Sequence, residues 1–433
     1  MYKATIVIYG GRIIDPSQKG ATTPEMDQIS DIKIKNGLIA AIEPHIPIEK
    51  GFKEINASGL IVTPGLIDLH THLREPGFEY KETVETGLAA ASAGGFTTIC
   101  CMPNTNPIND NASVTEFILE RAKKAGKGTL LPVGAITRGL KGEELSEIGE
   151  LVSAGCAAIS DDGMPVMNSL IMRQALEYAK IFDIPVIDHC EDLNLTDGGV
   201  MFEGAISTAL GLKGIPAASE SIMVARDLAL AAQTGGRIHL AHISTAASVH
   251  LIREAKSRGI FVTAETCPHY FTLTDEAVKG YDANAKMKPP LSSALDLLEI
   301  RAGLADGTID AIATDHAPHA PWEKEQEMDR APFGIIGLET AIPLSLMLVS
   351  EGILTLPALI QKLTLGPAKI LRREIGRMRV GDRADITIID PSAEWTVQAE
   401  SFKSKSKNSP FIGWKMKGRA VSVIVNGNVI ENK

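Results

Sequence analysis

Residues 66–73, LIDLHTHL, form a short and almost wholly apolar run that closes on two histidines one residue apart. A run of this length and texture reads as a parallel strand buried on both faces. Seven more follow: TTICCM (97–102), LLPVGAI (130–136), AAISDD (157–162), IPVIDHC (184–190), RIHLAHIS (237–244), IFVTAETC (260–267) and IDAIATDH (309–316). Helical stretches lie between them, among them SLIMRQALEYAKIF (169–182), ESIMVARDLALAAQ (220–233) and TAASVHLIREAKSRG (245–259). The last carries Ala, Val, Leu and Ile at helical spacing and then Gly259 as a stop signal. Eight strand–helix units over roughly 250–300 residues have the size of a (β/α)8 TIM barrel, an α/β fold. The alternative, an open doubly wound sheet, would announce a Gly-rich phosphate turn after its first strand, and none is present.

Outside the span 61–374 the texture changes. ATIVIYGGRIID, SDIKIKNGLIAAIEP and KEINASGLIVTPG within the first 65 residues, and RADITIIDP, EWTV and RAVSVIVNGNVIENK within 375–433, are β-branched runs broken by Gly and Asn turns. Two segments of one texture at opposite ends, 1–60 and 375–433, are expected to build one small composite β-sandwich beside a barrel at 61–374.

The 433 residues carry a formal net charge of −10, 44% hydrophobic and 22% charged residues, an ordinary globular composition. The acidic balance argues against nucleic acid, and the one basic run, Lys403–Lys407, is short. No stretch approaches ~18 consecutive apolar residues, so no membrane partner is expected. The N-terminal run lacks the apolar core and cleavage site of a secretory signal. Five cysteines, Cys100, Cys101, Cys156, Cys190 and Cys267, make no CxxC pair and read as reduced thiols of a cytoplasmic enzyme.

Polar residues cluster at one end of the apolar runs, always the C-terminal end: His70 and His72, Asp161 and Asp162, Asp188 and His189, His239 and His242, Asp315 and His316. In a barrel those ends converge on the active-site face. Residues i and i+2 on a strand point to the same side, so His70 and His72 can address one ion. A lone HxH carries little weight, and a lone buried His or Asp is usually a hydrogen-bonded core group. Four further strand ends with ligand-type residues change that balance. His70, His72, Asp162, His189, His242 and Asp315 exceed the needs of one tetrahedral zinc and would suit two metals ~3.5–4 Å apart.

Arg74, next to the HxH, suits a grip on a substrate carboxylate, against the ordinary reading of an ion pair with Glu75 or Glu82. Asn104 could bond the same anion, against a loop cap, and His319 is a further anion contact. His45, His250 and His316 read as structural, His239 as packing or support, and Cys101, Cys190 and Cys267 as core. Such a site fits hydrolysis of a polar, carboxylated substrate, with Asp315 placed to carry a proton to the leaving nitrogen.

VTPGLIDLHTHLREPG, GGFTTICCMPNTNP, ISDDG, DHCED, AHIST, ETCPHY, ATDHAPH and APFGIIGLET resemble, in order, the signature blocks of the dihydroorotases, the amidohydrolase-superfamily enzymes of pyrimidine (UMP) biosynthesis, in their class I bacterial long form. The resemblance runs to the tail SKSKNSPFIGW. It implies reversible zinc-dependent cyclisation of N-carbamoyl-L-aspartate to L-dihydroorotate, with a metal-bridging hydroxide as nucleophile and Asp315 as general acid/base. It implies two zinc ions per subunit: one on His70, His72, Asp162 and Asp315, the other on Asp162, His189 and His242. It also implies substrate contacts from His72, Arg74, Asn104, His319, Phe333 and Gly334. One departure stands out. KMKPPLSS has Lys288 and Ser292 where the long form usually shows Asn and Arg, so Lys288 either offers substrate a different donor or faces away from it. A homodimer, and association with aspartate carbamoyltransferase, are further expectations. The competing readings are another cyclic-amide hydrolase, such as a hydantoinase or allantoinase, and a non-catalytic subunit scaffolding that carbamoyltransferase.

Overall fold

The computed structural model describes residues 5–18 and 26–432; the first residue of the expected strand ATIVIYGGRIID and the last of RAVSVIVNGNVIENK lie outside them. The chain opens with β1 (Ile6–Asp15), β2 (Met26–Lys35), β3 (Leu38–Glu43), β4 (Lys53–Asn56) and β5 (Ile61–Pro64). The barrel strands follow: β6 (Leu66–Thr71), β7 (Phe96–Cys101), β8 (Thr129–Gly134), β9 (Ala158–Ser160) and β10 (Val186–Asp188). A small parallel pair, β11 (Met201–Phe202) and β12 (Gly214–Ile215), interrupts them before β13 (Ile238–Leu240), β14 (Val262–Thr266) and β15 (Ala311–Ile312). The chain ends on β16 (Ile386–Thr396), β17 (Lys415–Val425) and β18 (Asn428–Glu431).

Each of the eight apolar runs supplies one barrel strand, in sequence order and parallel to its neighbours. The ring closes between the ends of β6 and the run after β15, where Thr71 bridges His316 and His72 N–H donates to His316 O at 2.8 Å. Inward side chains such as Ile67, Leu69, Cys100, Val133, Ile187 and Ala313 fill the barrel. Outward ones such as Ile99, Cys101, Ile159, Val186 and Leu240 pack beneath the helices. All five cysteines are buried and unpaired.

The helices form where their apolar spacing and caps agree. In Ala246–Ser257 the buried Val249, Ile252 and Ala255 recur at helical spacing. Thr245 accepts from Ser248 N at the start, and Gly259 adopts φ +75° just past the end.

The two chain ends join in one continuous sheet ordered β18–β17–β16–β5–β1–β2–β3, with β4 also on β1. The expected β-sandwich is thus, in hydrogen-bonding terms, a single eight-stranded sheet. Its two halves meet at β5, which pairs with β1 on one side and β16 on the other. Ile32 and Ile34 from the N-terminal half share an apolar cluster with Ile386, Ile388 and Ile424 from the C-terminal half.

Thr387 fastens this sheet to the barrel. Its hydroxyl donates to Gly95 O at 2.7 Å and accepts from Leu66 N at 3.3 Å, at the head of β6. Thr387→Val removes both bonds while keeping the shape, leaving two buried backbone groups unpaired. The expected cost is about 1–3 kcal/mol, read as a lower denaturant midpoint with an unchanged slope.

Candidate metal centre and substrate cleft

The C-terminal strand ends meet as the sequence suggests. Asp162, just past β9, stands in the middle: its Oδ1 lies 3.2 Å from His70 Nε2, 3.5 Å from His189 Nδ1 and 3.4 Å from His242 Nε2, and its Oδ2 3.3 Å from His72 Nε2. Asp315 Oδ1 is 3.1 Å from His72 Nε2 and 3.7 Å from His70 Nε2. Two compact, buried groups result, His70–His72–Asp162 and Asp162–His189–His242, sharing the Asp162 carboxylate. Asp161 takes no part. Its carboxylate turns away to accept from Ile136 N at 2.7 Å and Thr137 N at 3.0 Å.

An oxygen behind each of three rings decides which nitrogen faces the centre. His70 Nδ1 donates to Glu265 Oε1 at 3.1 Å, His72 Nδ1 to Asn104 Oδ1 at 2.8 Å, and His189 Nε2 to Glu191 Oε2 at 3.0 Å. With an acceptor behind each ring, its other nitrogen is turned toward the centre, the arrangement found behind metal-bound imidazoles. His70 Nε2 and His242 Nδ1 are buried without a hydrogen bond. A nitrogen and oxygen donor set of this kind, with a shared carboxylate, fits divalent cations.

Charge at the centre is balanced in the same sense. Burial alone would raise Asp162, but the His70 charge and the facing imidazoles of His189 and His242 hold it well below the usual carboxylate range. Burial is likewise overcome at Asp315, held at about 2 by the hydrogen bond from His72 and the charges of His70, His72 and His242. His189 rises to about 9 because Asp162 and Glu191 outweigh its burial.

The backbone is bent to achieve this. Arg74, His242 and Asp315 adopt φ of +63°, +34° and +47°, a region most residues avoid and one that concentrates at functional sites. Asp68 in β6 ties the ends together: it accepts from His70 N at 3.0 Å and from Thr314 Oγ1 at 2.6 Å, fixing the residue before Asp315.

Over the centre opens a cleft of about 800 Å³. Its walls include every site residue singled out in the sequence except His70, which lies beneath. Arg74 donates through Nε to Pro318 O at 3.2 Å and has its Nη2 3.5 Å from His319 Nε2. Neither Glu75 nor Glu82 claims it: Glu75 pairs with Arg121 at 2.6 Å and Glu82 with His316 at 3.4 Å. Among the described residues no carboxylate forms an ion pair with Arg74 within 4 Å, though Asp315, Asp162 and Glu323 act on it from farther off. His319 Nε2 donates to Phe333 O at 2.8 Å, and burial together with the Arg74, Lys81 and Lys324 charges keeps its ring neutral, its pKa lowered to about 2. Gly334 adopts φ +125°, and a Cβ there would stand 2.7 Å from Ala317 Cβ, so glycine is required in that wall. Lys288 lines the cleft, but its Nζ lies 2.9 Å from Glu191 Oε2.

Sequence reasoning passed over Glu265, Glu191 and Asn408. Glu265 joins His70 to His239, whose Nε2 lies 3.2 Å from its Oε2. Asn408 accepts from His319 N at 3.1 Å and donates to Ala317 O and Gly334 O, both at 3.0 Å, pinning two cleft walls. The usable signals were an acid at the end of the seventh strand, another two residues past His189, and the period-two spacing of Ser404, Ser406 and Asn408, which turns all three to one buried side.

A family model described as "Dihydro-orotase-like" matches residues 59–248. The chain is 56% identical over 425 residues to the dihydroorotase of Geobacter metallireducens, covering 98% of this chain and 99% of that one. It is 52% identical over 426 residues to the dihydroorotase of Syntrophus aciditrophicus, with the same coverage. Among solved structures it resembles the L-hydantoinase (dihydropyrimidinase) of Arthrobacter aurescens at 26% identity and a TM-score of 0.87, covering 100% of this chain and 97% of that one. The D-hydantoinase of Bacillus sp. AR9, at 24% identity and a TM-score of 0.84 over 98% of this chain and 95% of that one, shares the fold.

Glu265→Gln keeps the size of the side chain but removes the charge that orients His70 and His239. It is expected to weaken divalent-metal uptake by about 10–100-fold, measured by equilibrium dialysis of the metal-freed protein, while the unfolding transition stays cooperative.

Proposed function

The chain belongs to the dihydroorotase family, and from that premise we propose that its cleft interconverts N-carbamoyl-L-aspartate and L-dihydroorotate at a pair of zinc ions. The enzyme is a cyclic-amide hydrolase. His70, His72, Asp162 and Asp315 would hold one cation, and Asp162, His189 and His242 the other. Cations so held supply a water of lowered pKa, about 7 for zinc, and polarise the amide carbonyl.

The chain's own residues do the rest. The observation that carries the reading is Arg74: a guanidinium with no acid of its own, at the cleft wall beside Asp315. A substrate carboxylate completes it, and its planar fork sets the orientation of the molecule it grips. His319, kept neutral, adds a polar contact without a competing charge, and Asn104 keeps His72 turned inward while its amide nitrogen, 3.4 Å from Asp162 O, faces the same wall. Phe333 and Gly334 bound the space for the ring. Asp315, ionised at neutral pH, takes a proton from the attacking water and returns it to the amide nitrogen as the ring opens; ring closure runs the same transfer backwards.

The solved neighbours are named as hydantoinases and dihydropyrimidinases, which keeps a second cyclic-amide reading in view. The sequence relatives at 52–56% identity favour dihydroorotate. The five buried free thiols and the absence, among the described residues, of a helix able to cross a membrane support the proposal of a cytoplasmic enzyme.

Two measurements test this. Purified protein is expected to open dihydroorotate, to lose that activity on chelation and to regain it with zinc. Turnover of a hydantoin or allantoin with dihydroorotate untouched would reassign the substrate. Asp315→Asn is expected to keep the fold and lower kcat by about 10²–10⁴-fold; wild-type turnover in that variant would remove Asp315 from the proton transfer.

A further inference from the structure

Lys288 sits where two parts of the site meet. Its Nζ lies 2.9 Å from Glu191 Oε2, and the same oxygen accepts from His189 Nε2 at 3.0 Å. The other Glu191 oxygen accepts from Thr196 Oγ1 at 2.6 Å, so the carboxylate is held from three sides. Side-chain exposure is 7% for Glu191 and 23% for Lys288, so solvent screens the pair little. On its other side the Lys288 ammonium lies 5.3 Å from the centre of the Phe333 ring. Lys286, two residues earlier, also faces that ring at 4.5 Å, but its Nζ is committed to Met328 O at 2.6 Å. Among the described residues, Lys288 links the ring wall to Glu191.

We propose that Lys288 is a positioning residue for the subsite of Asp162, His189 and His242: through Glu191 it holds the His189 ring with Nδ1 inward, and through Phe333 it ties that ligand to the substrate wall. The inference rests on the two-cation reading above. Its physical content is the charge and reach of the ammonium. Removing it leaves the buried Glu191 carboxylate with one cationic partner fewer, free to follow Thr196 rather than His189. A shorter neutral side chain such as Asn would end two bonds short of Nζ and carry no charge. From the same Cβ it makes neither contact.

The test is zinc titration of the metal-freed protein by calorimetry, with metal content checked by mass spectrometry, followed by steady-state kinetics. Lys288→Met, which keeps length and loses charge, is expected to bind one equivalent like wild type and the second about tenfold more weakly, near the lower end expected for loss of an outer partner. Glu191→Gln is expected to do the same. The double variant is expected to be no worse than Glu191→Gln alone, because both act through one contact, and Lys288→Arg to restore most of the affinity. In saturating zinc, Lys288→Met should regain kcat and retain a raised KM from the loosened Phe333 wall.

A Lys288→Met protein that takes both equivalents with wild-type affinity overturns the proposal, as does a double variant whose losses add. Intact zinc binding with only a raised KM would make Lys288 a direct substrate contact instead. Wild-type protein that takes a single equivalent would overturn the two-cation reading and this inference together, whereas turnover of dihydroorotate by wild type is scored separately. If Lys288→Met fails to fold, Lys288→Arg and Glu191→Gln still decide the outcome.

Discussion

The Asp162 carboxylate is the fixed point of this molecule. Four imidazole nitrogens approach its two oxygens within 3.2–3.5 Å, from strand ends far apart in the chain. A carboxylate buried this deeply costs several kcal/mol in lost hydration unless charge faces it from all sides. The barrel is the scaffold that supplies those sides. Its parallel strands deliver their C-terminal residues to one ring, which brings six ligand-type side chains to one point.

Each imidazole is in turn aimed by an oxygen behind it. Glu265, Asn104 and Glu191 accept the outward proton of His70, His72 and His189. This second ring of acceptors converts rings that can rotate and switch tautomer into donors of set direction. The order is hierarchical: Lys288 and Thr196 hold Glu191, Glu191 holds His189, and His189 faces Asp162. Left-handed backbone at Arg74, His242 and Asp315 marks where this geometry overrides local preference, and it does so at the loops that carry function rather than in the strands.

The C-terminal segment is part of the same construction. The run at 403–407 alternates exposed and half-buried lysines with buried serines. Its serines turn inward: Ser404 bonds Glu82, Ser406 donates to Lys81 O at 2.7 Å, and Asn408 then reaches Ala317, His319 and Gly334. Residues that follow Arg74 in the chain are therefore fastened by residues more than three hundred positions later. The sheet built from both chain ends is joined to the barrel through Thr387 at the head of β6, the strand that ends in His70.

What the sequence determined by itself is what repeats locally. The eight apolar runs, the helix caps and the polar residues at the C-terminal end of five of the runs follow from short-range spacing, and they were enough to place His70, His72, Asp162, His189, His242 and Asp315 on one face. The choice of Asp162 over Asp161 as the shared acid, and the roles of Phe333 and Gly334, came through resemblance, because adjacent acids are equivalent in composition; Asn104 was already a candidate from its place after the second strand. Tertiary structure alone decided the partners. Glu265 meets His70 across 195 positions and Asn408 meets His319 across 89, and nothing in the spacing around either residue encodes the other. Lys288, expected to offer substrate a donor, lines the cleft and has its Nζ 2.9 Å from Glu191 Oε2, a contact that depends on distances only the folded chain imposes.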